Sequence, residues 1–460
     1  MSAQLQSRRE FLKQFGGGIA VFVALGGDLP VLGRAAAQSH SVPTDFNAFL
    51  RIAEDGRVTC LTGKIEMGQG PITSLAQMMA DELDVAYEMV DMVMGDTDSC
   101  PWDQGTWGSL TTRVFGPVLR AAAAEARVVL LELGSEELRV PIARLSAKNG
   151  VIFDRGNEQR RVTYGALAKG KRITRHVTAK PELKDVSQFR IMGQPMLRRD
   201  SLEKVTGKAR YAADIRLPEM LYAKILRPPA HGAKLTKVDT HGARNVAGAR
   251  VIEEKDLVAV LHELPDVAQE ALDRVEAEFD VPPSAVTNEN IHEHLVRVAP
   301  KGDVTARGGD LDKGRKLAGR TLETAFFDSY VAHAPMETHA ALARIEGDKC
   351  TVWASTQNPF GARDKVARAI GFSARQVRVI TPFVGGGFGG KTSNLQAVEA
   401  ARLAQAVGRP VQVMRTREEE FFYDTFRPAA VVHIRSGIDD SGRITFWDHE
   451  VLFAGQRGAE

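Results

Sequence analysis

The sequence predicts an α+β protein of several domains, and three observations carry that prediction. Strand-like and helix-like apolar spacings mix along the whole length. Two polar stretches, near 155–200 and 282–320, read as connectors that divide the chain. The 42 glycines are concentrated at 63–70, 105–116 and 385–390, which marks backbone brought close to something or turned through positive φ.

The first 37 residues read as a twin-arginine export signal. Ser7, Arg8, Arg9, Glu10, Phe11, Leu12 and Lys13 precede an apolar stretch from Ile19 to Leu25 and a small-residue cleavage site at Ala35, Ala36 and Ala37. The stretch is flanked by glycines and is too short to span a bilayer. The mature chain is therefore expected to begin near Gln38, to be periplasmic, and to lack a membrane span. With 43% hydrophobic and 26% charged residues the composition is that of a globular protein. A net charge of +2 and the lack of a basic cluster interleaved with aromatics give no reason to expect nucleic acid. Cys60, Cys100 and Cys350 are too few and too scattered to ligate an iron–sulfur cluster or a cysteine-rich zinc site on their own.

The elements follow in order. Phe49 to Ala53 and Val58 to Thr62 read as strands around a turn at Asp55 and Gly56. From Thr73 to Leu83, Leu75, Met78, Met79 and Leu83 share one helical face. An alanine-rich helix runs from about Pro117 to Leu133, with Gly134 as its stop. Between the helices, Asp96 to Gly116 is a long polar and aromatic loop, a kind that is usually functional. Past the first connector come strands at Leu221 to Leu226 and Val258 to Leu261 and a helix from Asp266 to Phe279. The last unit starts near Thr321. It has strands at 350–354, 377–384, 411–414, 431–436 and 444–453, and helices at 358–370 and 395–407.

VGGGFGGKT at 384–392 fits the phosphate-loop spacing of nucleotide hydrolases. Pro382 in the preceding strand and the lack of a downstream magnesium-holding aspartate strand argue against that use. A loop whose amides approach an anionic or oxo-bearing group fits better. GKIEMGQG at 63–70 leads from a strand into a helix, where amides suit a phosphate; alone it reads equally as a structural corner. Gln357 in STQNP stands where a strand ends and a helix starts; alone it reads as a cap. His333, Glu337 and His339 do not follow the spacing of a helical zinc motif, so the histidines read as structural, as do His292 and His294.

Together, these segments resemble the molybdenum-binding large subunits of the xanthine dehydrogenase and aldehyde oxidase family. The resemblance rests on GKIEMGQG at 63–70, DTDSCPWDQGTWGSLTTR at 96–113, TGKARYAADIRLPEMLYAKILRPP at 206–229, HAPMETHAALA at 333–343, STQNP at 355–359 and VGGGFGGK at 384–391. It spans about 45 to 455. The MGQG element precedes the GGGFGG loop, an order similar to the branch of isoquinoline 1-oxidoreductase beta subunits and nicotinate dehydrogenase large subunits.

The resemblance implies a molybdenum-hydroxylase architecture. In it, 38–200 is a first molybdopterin-binding segment and connector, and 201–283 is a small α/β hammerhead domain. Residues 284–320 form a linker, and 321–460 a partial molybdopterin-binding domain, the second molybdenum domain being incomplete. It implies a molybdopterin cofactor in its cytosine dinucleotide form, with molybdenum held through the pterin and not by side chains. Gln357 is implied to hydrogen-bond an oxo ligand of the metal. Gly387, Phe388 and Gly389 would line metal and substrate, and Gly68, Gln69 and Gly70 would hold the pterin and its phosphates. The implied reaction hydroxylates an electron-poor carbon of an N-heteroaromatic or aldehyde with oxygen from water. Electrons would leave through a small partner subunit carrying [2Fe–2S] clusters, then a cytochrome c. Thr392 stands where the purine enzymes place a substrate-binding glutamate, so purines are not expected substrates. The family's general-base glutamate lies in a segment with no counterpart here, and no catalytic residue is assigned. The alternatives are an inactive fragment of such a subunit, and a phosphate-loop nucleotide-binding protein. A chain lacking the rest of the molybdenum region is expected to leave apolar surface and strand edges uncovered.

Overall fold

A computed structural model describes residues 18–24, 46–169, 172–176 and 181–455. The backbone divides into two units, one of 1–226, 240–275 and 335–420, the other of 227–239, 276–334 and 421–460. Most of the expected export signal lies outside the described residues. Its apolar stretch does not: Gly18–Ala24 is a strand, antiparallel to Phe46–Ile52 and parallel to Arg172–His176.

That strand belongs to the first sheet of the larger unit. In spatial order the sheet comprises Val90–Met94, Val58–Thr62, Phe46–Ile52, Gly18–Ala24 and Arg172–His176. The helices Pro71–Leu83 and Gly116–Leu138 share a core with it, built from Leu50, Ile52, Val58, Leu75, Met79, Leu83, Leu119 and Leu130. Leu75, Met79 and Leu83 are fully buried, as their spacing predicts, and each contributes about 1.5–3 kcal/mol of burial. The second helix does not stop at Gly134. It continues to Leu138 and ends on Arg139 in the left-handed conformation. Gly134 is there for close approach: a Cβ on it would lie 3.0 Å from two carbons of Ile152.

The second sheet has seven strands, ordered Arg250–Glu254, Leu257–His262, Leu221–Ile225, Val411–Met414, Ala340–Glu346, Lys349–Ala354 and Val377–Ile380. The helices Pro359–Ile370 and Leu395–Val407 cover it; Ala397, Ala400, Ala401 and Ala404 let the latter lie close to Ala341 and Ala343. Strands from 201–283 therefore extend the same sheet as strands from 340–414, the parallel pairing of Val411 with Leu221 being the junction. Of residues 201–283, the stretches 227–239 and 276–283 belong to the other unit.

Other boundaries differ from expectation. The helix placed at 266–279 is Pro265–Leu272, followed by the strand Glu276–Asp280; β-forming Val275 and Phe279 alternate there with acidic residues. The 282–320 linker contains the helices Ile291–Val298 and Leu311–Leu317. The 155–200 connector is tied down. Asn157–Thr163 pairs with Val151–Asp154, and the Asp81 carboxylate accepts from the amides of Arg190, Ile191 and Met192.

In the smaller unit, Arg320–Asp328, Ala430–Ile438 and Ile444–Phe453 form an antiparallel sheet, and Lys234–Asp239 pairs with Glu276–Asp280. Ile291 and Leu295 cover one face of the three-stranded sheet, against Val431 and Leu452. The alternate residues point the other way: Phe326 pairs with Val432, which pairs in turn with Val451, and Leu322 pairs with Ser436, which pairs in turn with Trp447. On that face Leu322, Phe326, Trp447, Val451 and Phe453 are all about half exposed or more.

Candidate cofactor-binding site

Within the larger unit, four separated segments converge. The amide of Val384 donates to the Glu66 carbonyl at 3.1 Å, joining the GGGFGG loop to the GKIEMGQG turn. Thr106, in the long polar loop, joins the turn to Gln357: its hydroxyl accepts from the Ile65 amide at 3.1 Å, and its backbone exchanges hydrogen bonds with Gln357. The Asp96 carboxylate receives Arg378 through two nitrogens, at 3.0 and 2.6 Å, and Thr97 pairs with Val379.

Gln357 is 1% exposed and sits at the centre. Its Nε2 donates to the Thr106 carbonyl at 2.8 Å, and its Oε1 accepts from the amides of Gly389 at 2.9 Å and Lys391 at 3.3 Å. A carboxamide carries two N–H donors, so one remains beyond the bond to Thr106. Gly387 is required here: a Cβ on it would lie 2.5 Å from Gln357 Oε1. Phe388 is in the left-handed conformation at φ 54° and is 72% exposed. An aromatic residue there costs of order 1–3 kcal/mol, a cost that surrounding contacts must hold in place.

In the turn at 63–70 a side chain of the turn itself meets the backbone amides. The buried Glu66 carboxylate accepts from the amides of Gly68 at 2.8 Å, Gly70 at 3.1 Å and Ile72 at 3.2 Å. Arg198 Nη2 lies 3.5 Å from it. The amides expected to meet a phosphate thus converge on an internal anion at the start of the Pro71–Leu83 helix. Gln69 closes on its own turn, accepting from Met67 N–H and donating to the Ile65 carbonyl. Gly68 faces open space at φ 107°. Sequence reasoning missed Glu66 and Thr106; the only available signal was that both lie inside segments already singled out.

Lys391 is fully buried, its Nζ 2.7 Å from Glu337 Oε2. A phosphate loop needs that lysine facing a ligand and a helix following at once. Here Thr392, Ser393 and Asn394 intervene before Leu395–Val407. The nucleotide-binding reading is corrected on this ground. The histidines are partnered as predicted: His333 Nδ1 lies 2.6 Å from Asp424, and His339 Nδ1 lies 2.9 Å from Glu420. Burial holds His339 below the ordinary histidine range, and the nearby Arg415 lowers it further against the opposing pull of Glu420. Cys60, Cys100 and Cys350 are buried thiols; burial pushes Cys100 and Cys350 up to about 12. Among the described residues, no group of three histidine, cysteine or acidic side chains is arranged to hold a metal ion.

A molybdopterin fits the Gln357 side of this arrangement. A metal held through its pterin needs neutral donors and close backbone, and Gln357 above a Cβ-free Gly387 supplies both. The turn at Gly68 supplies room, while its amides serve Glu66.

Comparison with known proteins agrees. Two family models, each of a molybdopterin cofactor-binding domain, match residues 2–212 and 291–456. A nicotinate dehydrogenase subunit of Pseudomonas putida is 28% identical over 88% of this chain and 35% of its own length. The beta subunit of isoquinoline 1-oxidoreductase from Brevundimonas diminuta is 27% identical over 94% of this chain and 62% of its own. The molybdenum-binding subunit of an Escherichia coli aldehyde oxidoreductase, PaoC, is 30% identical over 58% and 40%. The chain thus spans between about a third and three fifths of the length of these relatives. With two loops joined through Gln357 and molybdopterin-domain matches over both parts of the sequence, the chain belongs to the molybdopterin-binding large subunits of the xanthine dehydrogenase and aldehyde oxidase family.

Proposed function

We propose that this chain binds molybdopterin, in the cytosine dinucleotide form, within an exported oxidoreductase that hydroxylates an N-heteroaromatic or aldehyde substrate. The observation that carries the reading is the Gln357 centre: a buried neutral amide with a donor to spare, held against a glycine loop that no Cβ could enter. The cofactor, when bound, supplies a redox metal able to deliver oxygen derived from water. The protein's part is to orient and exclude. Gln357 offers its second N–H to an oxo group, and Gly387 and Gly389 permit close approach. Phe388 presents an aromatic surface to a planar substrate. A small [2Fe–2S] subunit and a cytochrome c would carry electrons away, in keeping with three cysteines that lie buried as thiols.

The test is molybdenum and pterin content of the chain. It would be purified from a host that makes the cytosine dinucleotide cofactor, with a small [2Fe–2S] subunit co-expressed. Near-stoichiometric molybdenum with hydroxylation of isoquinoline, nicotinate or an aromatic aldehyde supports the reading. Folded protein without molybdenum favours the inactive-fragment alternative. Export is tested by the size and location of the product: a mature chain starting near Gln38 in the periplasm is expected.

A further inference from the structure

We propose that Glu337 and Lys391 are positioning residues, a buried clamp that holds the 385–391 loop closed and Phe388 in its left-handed, outward-facing conformation.

One carboxylate oxygen closes the loop at both ends. Glu337 Oε2 accepts from the Gly385 amide at 2.8 Å and from Lys391 Nζ at 2.7 Å. The Glu337 amide returns a bond to the Gly385 carbonyl at 3.1 Å. Gly385 is fitted to the clamp: a Cβ there would lie 2.5 Å from the Glu337 Cβ. Inside the loop, Gly390 N–H reaches the Gly387 carbonyl at 2.9 Å, and Gly389 N–H reaches Gln357. The four residues between Gly385 and Lys391 that flank Phe388 on both sides are all glycine, and Gly386 and Gly389 have φ of 91° and 120°. Such a segment has no side-chain packing of its own and would populate many conformations. The left-handed aromatic among them persists only where its surroundings over-determine it. The clamp and Gln357 supply that determination.

The pair is high in consequence because it is buried. Lys391 is 0% exposed, and Glu337 Oε1 is buried without a hydrogen-bond partner among the described residues. Removing one partner leaves the other as an uncompensated buried charge, whereas removing both need not. That asymmetry gives the clamp a signature that general destabilisation lacks. The consequence for substrate rests on the proposed function: Phe388 would meet a planar ring only while the clamp holds it.

The experiment uses the full chain, co-expressed with its small [2Fe–2S] partner. Amide hydrogen exchange would be followed at 386–390 and, as an internal reference, at 395–407. The variants are Glu337→Gln, Lys391→Met and the double variant. Each single variant is expected to speed exchange at 386–390 at least about tenfold with the 395–407 helix unchanged. The double is expected to restore protection to within about threefold of wild type, because Gln still accepts from Gly385 and Met still fills the lysine stem. Unchanged loop exchange in the singles overturns the proposal. So does a parallel rise in loop and helix, which would mark a purely structural pair, or a double variant as labile as the worse single. In molybdenum-loaded protein the singles should raise KM for a bicyclic N-heterocycle with a smaller change in kcat. Wild-type protein that turns over no such substrate, yet shows the exchange pattern, would sink the functional reading and leave the clamp standing.

Discussion

Gln357 concentrates the case for the site at the scale of single residues. Its side chain binds two other segments of the chain, one through each end of the amide, and only one donor is left. Gln357→Leu removes the acceptor for Gly389 and Lys391. The variant should retain molybdenum about 10- to 100-fold less well, as loss of an orienting contact typically does. Metal analysis after gel filtration reads this directly. His339 carries a second prediction. Burial keeps it neutral in the fold, while in the unfolded chain it regains an affinity near pH 6.5. Its contribution is therefore complete above about pH 6.5 and is lost as pH falls toward its depressed folded value. Glu420, also held low, acts only below the ordinary glutamate range. Urea unfolding of wild type should show stability falling from about pH 7.5 to 5.5, and His339→Gln should flatten that slope. The motifs singled out Gln357, Gly387, Phe388 and Gly389, and the fold brings Gln357 against the loop that holds the other three. Glu66 was not, because a carboxylate beside glycines reads as a solvated charge until its three amide partners are seen.

Among the elements, those with strong periodicity were legible. The helix of 395–407 and the strands of 411–414 and 444–453 lie where their spacing puts them. The failures come from residues whose role is set by a neighbour distant in sequence. Gly134 looks like a helix stop but is a contact point for Ile152. Gly134→Leu should destabilise the chain by about 1–3 kcal/mol through overpacking. Adding Ile152→Ala should recover part of that loss in chemical denaturation, because it vacates the same space. The 201–283 region was legible in part. Leu221–Ile225 pairs locally with Leu257–His262, while its other edge takes Val411–Met414, nearly two hundred residues on. Local pattern fixes that a strand exists and which face is apolar, but not which edge it joins.

For the molecule as a whole, the apolar face of the three-stranded sheet dominates expected behaviour in solution. Leu322, Phe326, Trp447, Val451 and Phe453 lie on one surface. The chain should bind a dye such as ANS at neutral pH while keeping cooperative unfolding, which separates this surface from a molten state. Substituting Phe326 and Trp447 by Lys should cut dye fluorescence by about half or more with little change in unfolding midpoint.

The Glu66 turn bears on what the fold asks of its surroundings. Since the carboxylate already gathers the amides of Gly68, Gly70 and Ile72, the corner has its final electrostatic complement as soon as the backbone closes. The corner carries its own counter-charge, so its shape is written into the chain and asks for no anion from outside.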